Sequence, residues 1–305
     1  MSSNTKAWIK DPLISIVVNC YNGERYLEDA LQSVISQTYQ HWELIFWDNQ
    51  SEDKSKKIFQ SFSDKRLNYY YAPNHTVLYE ARNHALKKIK GDFITFLDVD
   101  DFWETTKLEE QIREFLDDEV GLVYSNFWFT NDKKSSKRLA FKDSLPSGNI
   151  SNNIIRDYPV GMLTIMVRKA SLDDLQHIFD SRFQMIGDFD LVVRLSITNK
   201  LVAINRPLAS YRLHSNNMSK KFRKLQNNEI ETWLNENINH PIISKLAGFS
   251  YRGKLLTYYK GIEAAQNYRY IEAFNYIKKI PNKLKIKLFL YIIIPKAILK
   301  IIGRY

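Results

Sequence analysis

Phe96-Leu97-Asp98-Val99-Asp100-Asp101-Phe102 places three carboxylates within four positions, directly after an apolar run through Phe93, Ile94, Phe96 and Leu97. Residues i and i+2 of an extended chain point to one side, so Asp98 and Asp100 can face one target. Two close carboxylates repel each other and lose hydration when partly buried. A divalent cation relieves both costs, and Mg²⁺ takes one or two protein carboxylates while waters and substrate phosphates complete its octahedron. A strand running into an acidic turn therefore suits a metal–diphosphate. The alternative is an acidic loop that only caps the next helix. A second acidic point is Gly187-Asp188-Phe189-Asp190, opening an amphipathic helix through Leu191 to Leu195. There Asp188 stands where an N-cap would stand, which stabilises a helix by about 1 kcal/mol and needs no further task. His214 follows a strand-like stretch, where a lone histidine is commonly a surface residue.

These groups need a scaffold. Leu13 to Val18 is a β-branched run with almost no polar relief, the pattern of a central parallel strand buried on both faces. Asn19 to Gly23 turns, and a helical stripe of Leu27, Leu31, Val34 and Ile35 follows. Trp42 to Trp47 reads as a second strand ending in Asp48-Asn49-Gln50-Ser51, before a helix holding Ile58, Phe59 and Phe62. Leu67 to Tyr71 is a third strand and Leu78 to Ile89 a third helix. The strand into Asp98 is the fourth, Leu108 to Phe115 lies in a fourth helix, and Gly121 to Tyr124 is a fifth strand. Lys133 to Lys142 breaks the pattern as a mobile hairpin or loop; Thr164 to Val167, Leu201 to Ile204 and Leu208 to Leu213 return as strands. Such β–α alternation predicts a mostly parallel sheet with right-handed crossovers. Ligands of open sheets bind beyond the carboxyl ends of the strands. The turns Asn19 to Glu24, Asp48 to Ser51 and Asp98 to Asp101 should then converge in one crevice. Neither G-x-G-x-x-G after the first strand nor G-x-x-x-x-G-K-[ST] occurs, so no glycine-rich loop is available to hold phosphate there.

The chain has 305 residues, 44% hydrophobic, enough for one large α/β domain with an appendage. Lys+Arg 44 against Asp+Glu 34 gives +10, which favours anionic partners. A single cysteine, Cys20, leaves no intramolecular disulfide and fits a reducing compartment. Met1 to Lys10 is polar without a signal-peptide core, and the longest apolar run, Leu288 to Ile294, is far short of the roughly 20 residues of a spanning helix. The expected location is the cytoplasm.

The ordered set Asn19-Cys20-Tyr21-Asn22-Gly23-Glu24, Asp48-Asn49-Gln50-Ser51-Glu52-Asp53, Ala81-Arg82-Asn83, Asp98-Val99-Asp100-Asp101, Gly187-Asp188-Phe189-Asp190-Leu191 and Tyr211-Arg212-Leu213-His214 resembles the family 2 nucleotide-sugar glycosyltransferases of GT-A fold, over roughly Pro12 to Ser219. The resemblance implies an α/β GT-A domain over residues 1–219 and a helical C-terminal extension over 220–305. It implies transfer of a sugar, with inversion, from a nucleoside diphosphate to an acceptor hydroxyl in cell-surface polysaccharide synthesis. In that reading Asp100 and His214 hold Mn²⁺ or Mg²⁺, and Asp98 holds the ribose or a metal-bound water. Asp188 is the general base, with Asp190 the fallback if the helix start shifts. An ordinary aspartate is ionised at pH 7, so the base needs no unusual environment. Asp48 would accept the base's ring N–H with Tyr21 stacking nearby, and UDP is the expected nucleotide. Asn19 would line the donor site, and Glu24 would touch the ribose or only favour its helix. Arg82 would lie against the base or diphosphate, or form a surface pair with Glu80 or Asp92. Two departures stand out: Asn49-Gln50 replaces the usual Asp-Gly, and Gly187 replaces an acidic residue that tends to face the acceptor. Sugar choice would lie with loops that include Tyr158 to Leu163.

Beyond Ser219, Leu255 to Ile277 suggests a helical hairpin. Pro281 to Tyr305 carries six basic residues among aliphatics and no acidic one. Apolar side plus basic side suits a helix lying in a membrane interface, peripheral on the cytoplasmic face of the inner membrane. The other reading is a core helix with solvated lysines. By analogy the acceptor is a glycan or a polyprenyl-lipid-linked sugar met at the bilayer. The competitors are a nucleotidyltransferase, which would want a basic glycine-rich first turn, and a nucleic-acid binder. Because the positive excess gathers beside aliphatics rather than in an aromatic-lined groove, no nucleic-acid partner is expected.

Overall fold

The computed structural model describes residues 11–132, 135–215, 217 and 222–294. The chain divides into two compact units, Met1–Ser151 with Pro159–Asn217, and Asn152–Tyr158 with Met218–Tyr305.

The first unit is built on β1 (Ile14–Cys20), β2 (Trp42–Asp48), β3 (Leu67–Tyr71), β4 (Phe93–Asp98), β5 (Phe102–Trp103), β6 (Val120–Asn131), β7 (Lys137–Leu139), β8 (Met166–Arg168) and β9 (Lys200–Leu213). Every residue of β1 and β2 is buried, as expected of central strands covered on both faces. The strand order is β3-β2-β1-β4-β8-β6-β9-β5, with β7 paired to β6. β3, β2, β1 and β4 run parallel, and β6 and β9 are parallel to each other. The sheet is mixed rather than mostly parallel, because β8 lies antiparallel to both β4 and β6 and wedges between them. The helices are α1 (Leu27–Ile35), α2 (Ser55–Gln60), α3 (Leu78–Leu86), α4 (Lys107–Arg113) and α6 (Gly187–Thr198), while α5 (Ser151–Asp157) falls almost wholly in the second unit.

Two details differ from the pattern reading, while the hairpin expected within Lys133 to Lys142 is present. The two expected strands of residues 201–213 are one strand, β9. Its Pro207, which has no N–H, sits opposite Asn126, where the β6 ladder shifts register, so the missing donor falls in an irregularity. The strand expected at Gly121 to Tyr124 runs on to Asn131. Lys137–Leu139 closes a hairpin on Trp128–Thr130, and Lys133 and Lys134 lie outside the described residues.

The second unit holds the expected helical C-terminal region: α7 (Arg223–Glu236), α8 (Ala247–Gln266), α9 (Tyr270–Ile277) and α10 (Asn282–Ile293). α8 and α9 form the hairpin suggested by Leu255 to Ile277. Residues 295–305 of the expected basic amphipathic end lie outside the described residues.

Candidate active site

The sheet reverses its winding at β1, with β2 on one side and β4 on the other. The turns after β1, β2 and β4 therefore open into one crevice. Hydrogen bonds lace the first two turns together. The Asn22 and Gly23 N–H groups donate to Ser51 Oγ (3.0 Å) and Ser55 Oγ (2.9 Å). Glu24 N–H donates to Asp53 Oδ2 (2.8 Å), and Lys54 N–H donates to Glu24 Oε2 (2.9 Å). The third turn abuts the first: a Cβ built on Gly23 would lie 2.9 Å from Val99 Cγ2, so only glycine lets the acidic turn come so close.

Within that turn each aspartate has its own partner. Arg82, on α3 and only 3% exposed, donates from Nη2 to Asp98 Oδ1 at 2.5 Å. Burial works against its charge, but Asp98, Tyr79 and Asp188 outweigh it and push its pKa up. Asp100 Oδ2 lies 2.8 Å from His214 Nε2. Burial and then Asp98 push the Asp100 carboxyl above the usual range, against the pull of His214. Asp101 is fully buried and accepts from Arg212 N–H at 2.9 Å; burial, then Asp100 and Asp98, push it well upward.

Arg212 ties β9 to this turn. It is buried and donates to Asp100 O (2.9 Å), Asp29 Oδ2 (2.9 Å) and Asp132 O (3.2 Å). Asn217 Nδ2 donates to Arg212 O (3.0 Å), and Asn217 Oδ1 accepts from the His214 backbone N–H (2.6 Å), which holds the chain at His214. His214 is thus no surface residue: its side chain is 9% exposed, and the Tyr26 ring lies 5.2 Å away.

α6 begins at Gly187, so Asp188 sits inside the first turn rather than capping it. The half-buried Asp188 accepts from the buried Tyr79 hydroxyl at 3.0 Å. Burial, then Asp188, raise the Tyr79 hydroxyl well above 10, so it stays a donor. The Tyr79 ring fills the space beside Gly187, where an added Cβ would come within 2.7 Å of Cδ2. It also stacks on Phe179 (5.2 Å) and lies 5.3 Å from the Arg82 guanidinium. Asp98, Arg82, Tyr79 and Asp188 therefore form one connected chain. Asp190 is ion-paired four residues on with Arg194, whose Nε is 2.9 Å from Oδ2.

Two positions carry loads the sequence does not reveal. Asp48 is fully buried, and its oxygens accept from Ser51 N–H (2.7 Å) and Tyr69 OH (2.6 Å). Its carboxylate braces the turn. Gln50 has φ 68°, the left-handed conformation a glycine adopts freely, and its amide donates to Ala72 O (3.3 Å) and Pro73 O (2.8 Å). Tyr21 is 55% exposed, with His75 4.3 Å from its ring, which leaves aromatic surface at the crevice. Asn19 is buried beside Asp98 and Trp47 in register, and among the described residues neither atom of its amide has a partner and the Trp47 indole N–H is likewise unpaired. Such groups call for a water or a ligand atom.

The donor set fits a divalent cation. Among the described residues no three His, Cys, Asp or Glu side chains converge on one point. Asp100 and His214 would supply two ligands, and diphosphate oxygens and water the rest, which both Mg²⁺ and Mn²⁺ accept. A cation there also offsets the mutual repulsion of Asp98, Asp100 and Asp101.

The description "Glycosyl transferase family 2" matches residues 15–176, more than half of the chain. The chain belongs to glycosyltransferase family 2. The Escherichia coli UDP-Glc:alpha-D-GlcNAc-diphosphoundecaprenol beta-1,3-glucosyltransferase WfgD is 31% identical over 219 residues, which is 71% of this chain and 83% of that protein. The teichuronic acid biosynthesis glycosyltransferase TuaG of Bacillus subtilis, named as putative, is 29% identical over 215 residues, 68% of this chain and 82% of its own. In fold, Staphylococcus aureus TarS 1-349 in complex with UDP-GlcNAc covers 89% of this chain and 82% of its own, at TM-score 0.64 and 18% identity. The Pyrobaculum calidifontis mannosyltransferase PcManGT, in complex with GDP-Man and Mn²⁺, covers 89% and 75%, at TM-score 0.62 and 13% identity. This family 2 glycosyltransferase thus has a GT-A-like mixed α/β fold and a helical C-terminal region.

Sequence reasoning misses Tyr79 and Asn217 and gives no role to Asp101 and Arg212. The usable signals were Gly187, whose missing side chain leaves room for a large neighbour, and Arg212 beside His214.

Proposed function

We propose that this glycosyltransferase moves a sugar from a nucleoside diphosphate, with UDP-sugars the first candidates, to a hydroxyl of a glycan or polyprenyl-diphosphate-linked acceptor, with inversion. The observation that carries the proposal is the chain Asp98–Arg82–Tyr79–Asp188, which joins the acidic turn to the first turn of α6. The names of WfgD and TuaG support a lipid-linked acceptor and a surface polysaccharide.

The exposed Tyr21 ring receives the nucleotide base, above the turn that Asp48 and Gln50 shape. Glu24 holds the first two turns together and stands within the same rim as the ribose. Arg82 fixes Asp98 toward the ribose or a metal-bound water, and the unpaired Asn19 amide lies beside it. Asp100 and His214 would hold Mn²⁺ or Mg²⁺, whose charge, when bound, stabilises the departing diphosphate. Asp188 accepts the proton of the attacking hydroxyl while Tyr79 keeps the carboxylate turned to its task. Attack on the side opposite the diphosphate inverts the anomeric carbon. The protein would work at the cytoplasmic face of a membrane, attached peripherally; no helix among the described residues is long and apolar enough to cross one.

A panel of nucleotide-sugars with Mn²⁺, scored by melting temperature and by release of the nucleoside diphosphate, tests the reading. One donor should stabilise the protein and be hydrolysed, and EDTA should abolish both effects. Protection by every nucleotide alike, indifferent to EDTA, would contradict it.

A further inference from the structure

α10 has two apolar faces. Leu284 and Leu288 are buried, and with Tyr291 and Ile292 they pack toward Ile262 and Ile280 in the core of the second unit. Ile286, Phe289, Leu290 and Ile293 recur at spacings of three, four and seven residues, which puts them together on the other side of the helix. They are 64%, 46%, 45% and 53% exposed. On α9, Ile271 and Phe274 are exposed as well. The Phe274 and Phe289 rings lie 6.3 Å apart, so the two helices contribute to one continuous apolar face. Lys283, Lys285 and Lys287 alternate with the apolar positions of α10, and Lys278-Lys279 lie in the link between the helices. No Asp or Glu follows Glu272 in the chain.

We propose that this α9–α10 face seats the protein on an anionic lipid bilayer. The proposal deepens, and rests on, the membrane-peripheral part of the function proposed above. It does so by naming the surface and by extending it to α9, outside the basic tail. An apolar stripe edged by lysines matches the boundary between acyl chains and negative headgroups. The lysine stems reach along the apolar surface while their ammonium groups meet the headgroups. A second copy is the poorer occupant: a two-fold contact would bring the same lysine-rich patch against itself. With 12 residues, α10 lies in the interface and does not span it.

The test is sedimentation of the full chain with phosphatidylcholine vesicles, with and without phosphatidylglycerol, at low and high salt. The protein should pellet with the anionic vesicles and be released by salt. K283Q/K285Q/K287Q should lower partitioning about 100-fold, and I286S/F289S should abolish pelleting. All five positions belong to the second unit and none is a residue of the candidate site, so both variants should keep wild-type melting and wild-type transfer to a short soluble acceptor. Wild-type protein left in the supernatant, equal binding to neutral vesicles, or unchanged pelleting of both variants would overturn the proposal. So would a concentration-dependent dimer that I286S/F289S dissolves in the absence of lipid binding. Transfer to the soluble acceptor reports on the catalytic reading alone, so either can fail while the other stands.

Discussion

Replacing Tyr79 by phenylalanine removes one oxygen and leaves the ring between Gly187 and Phe179. The oxygen donates to Asp188 at 3.0 Å from a buried site. Hydrogen bonds to charged groups contribute about 1.5–3 kcal/mol. If the bond serves to hold the base in its working orientation, that energy corresponds to about one to two decades in rate. The bond also favours the ionised carboxylate, so its loss disfavours the form that accepts a proton. The acid limb of the kcat/KM profile should therefore move to higher pH. The assay is transfer measured from pH 5 to 9 for wild type and Tyr79→Phe, with a melting curve for each. Donor KM should change little, since the Arg82–Asp98 pair remains. A kcat within twofold of wild type with an unmoved acid limb would refute the argument and leave Tyr79 as packing.

Other consequences are independent of this one. Lys107 is fully buried, hydrogen-bonded to Thr95 Oγ1 (2.9 Å) and Gln111 Oε1 (2.6 Å), and burial pushes its pKa well below 10.5. The unfolded chain thus binds the extra proton, and this residue makes folding stability rise with pH until the unfolded lysine titrates. Denaturant melts from pH 7 to 9.5 should show wild type gaining stability relative to Lys107→Met; a constant gap would mean that the amine is charged in the fold. At the second turn, Gln50→Gly should be nearly neutral because it removes two hydrogen bonds and a left-handed side chain together. Gln50→Val, with a branched Cβ at φ 68°, should lose about 2 kcal/mol. Equal stability of the two variants would show that the turn does not impose its conformation.

Much of the scaffold is legible in the sequence because its strands are buried on both faces. A run such as Phe93 to Leu97 has no other plausible home, and the polar residues that end it mark the crevice. The strand expected at Thr164 to Val167 is legible, but the antiparallel direction of β8 is not, because three residues carry too little pattern to give one. The acidic turn is readable as chemistry, but the fate of each carboxylate is not. Asp101 answers to Arg212 and Asp188 to Tyr79, each more than 100 positions away, and nothing local distinguishes them from Asp98 or Asp100. Asp48 shows the converse. A carboxylate at a strand end reads as a ligand contact, and nothing local shows that Tyr69, on the next strand, donates to one oxygen and Ser51 to the other. Gln50 in place of glycine looks like a lost turn, yet the backbone keeps the glycine conformation.

Asp188→Asn tests the central claim most directly, because it keeps the shape of the side chain while removing its capacity to take a proton. With the donor found in the nucleotide-sugar panel and Mn²⁺ present, the variant should melt at the same raised temperature as wild type and transfer no sugar. Transfer at a rate comparable to wild type would contradict the account, and the proton acceptor would have to be sought elsewhere in the crevice.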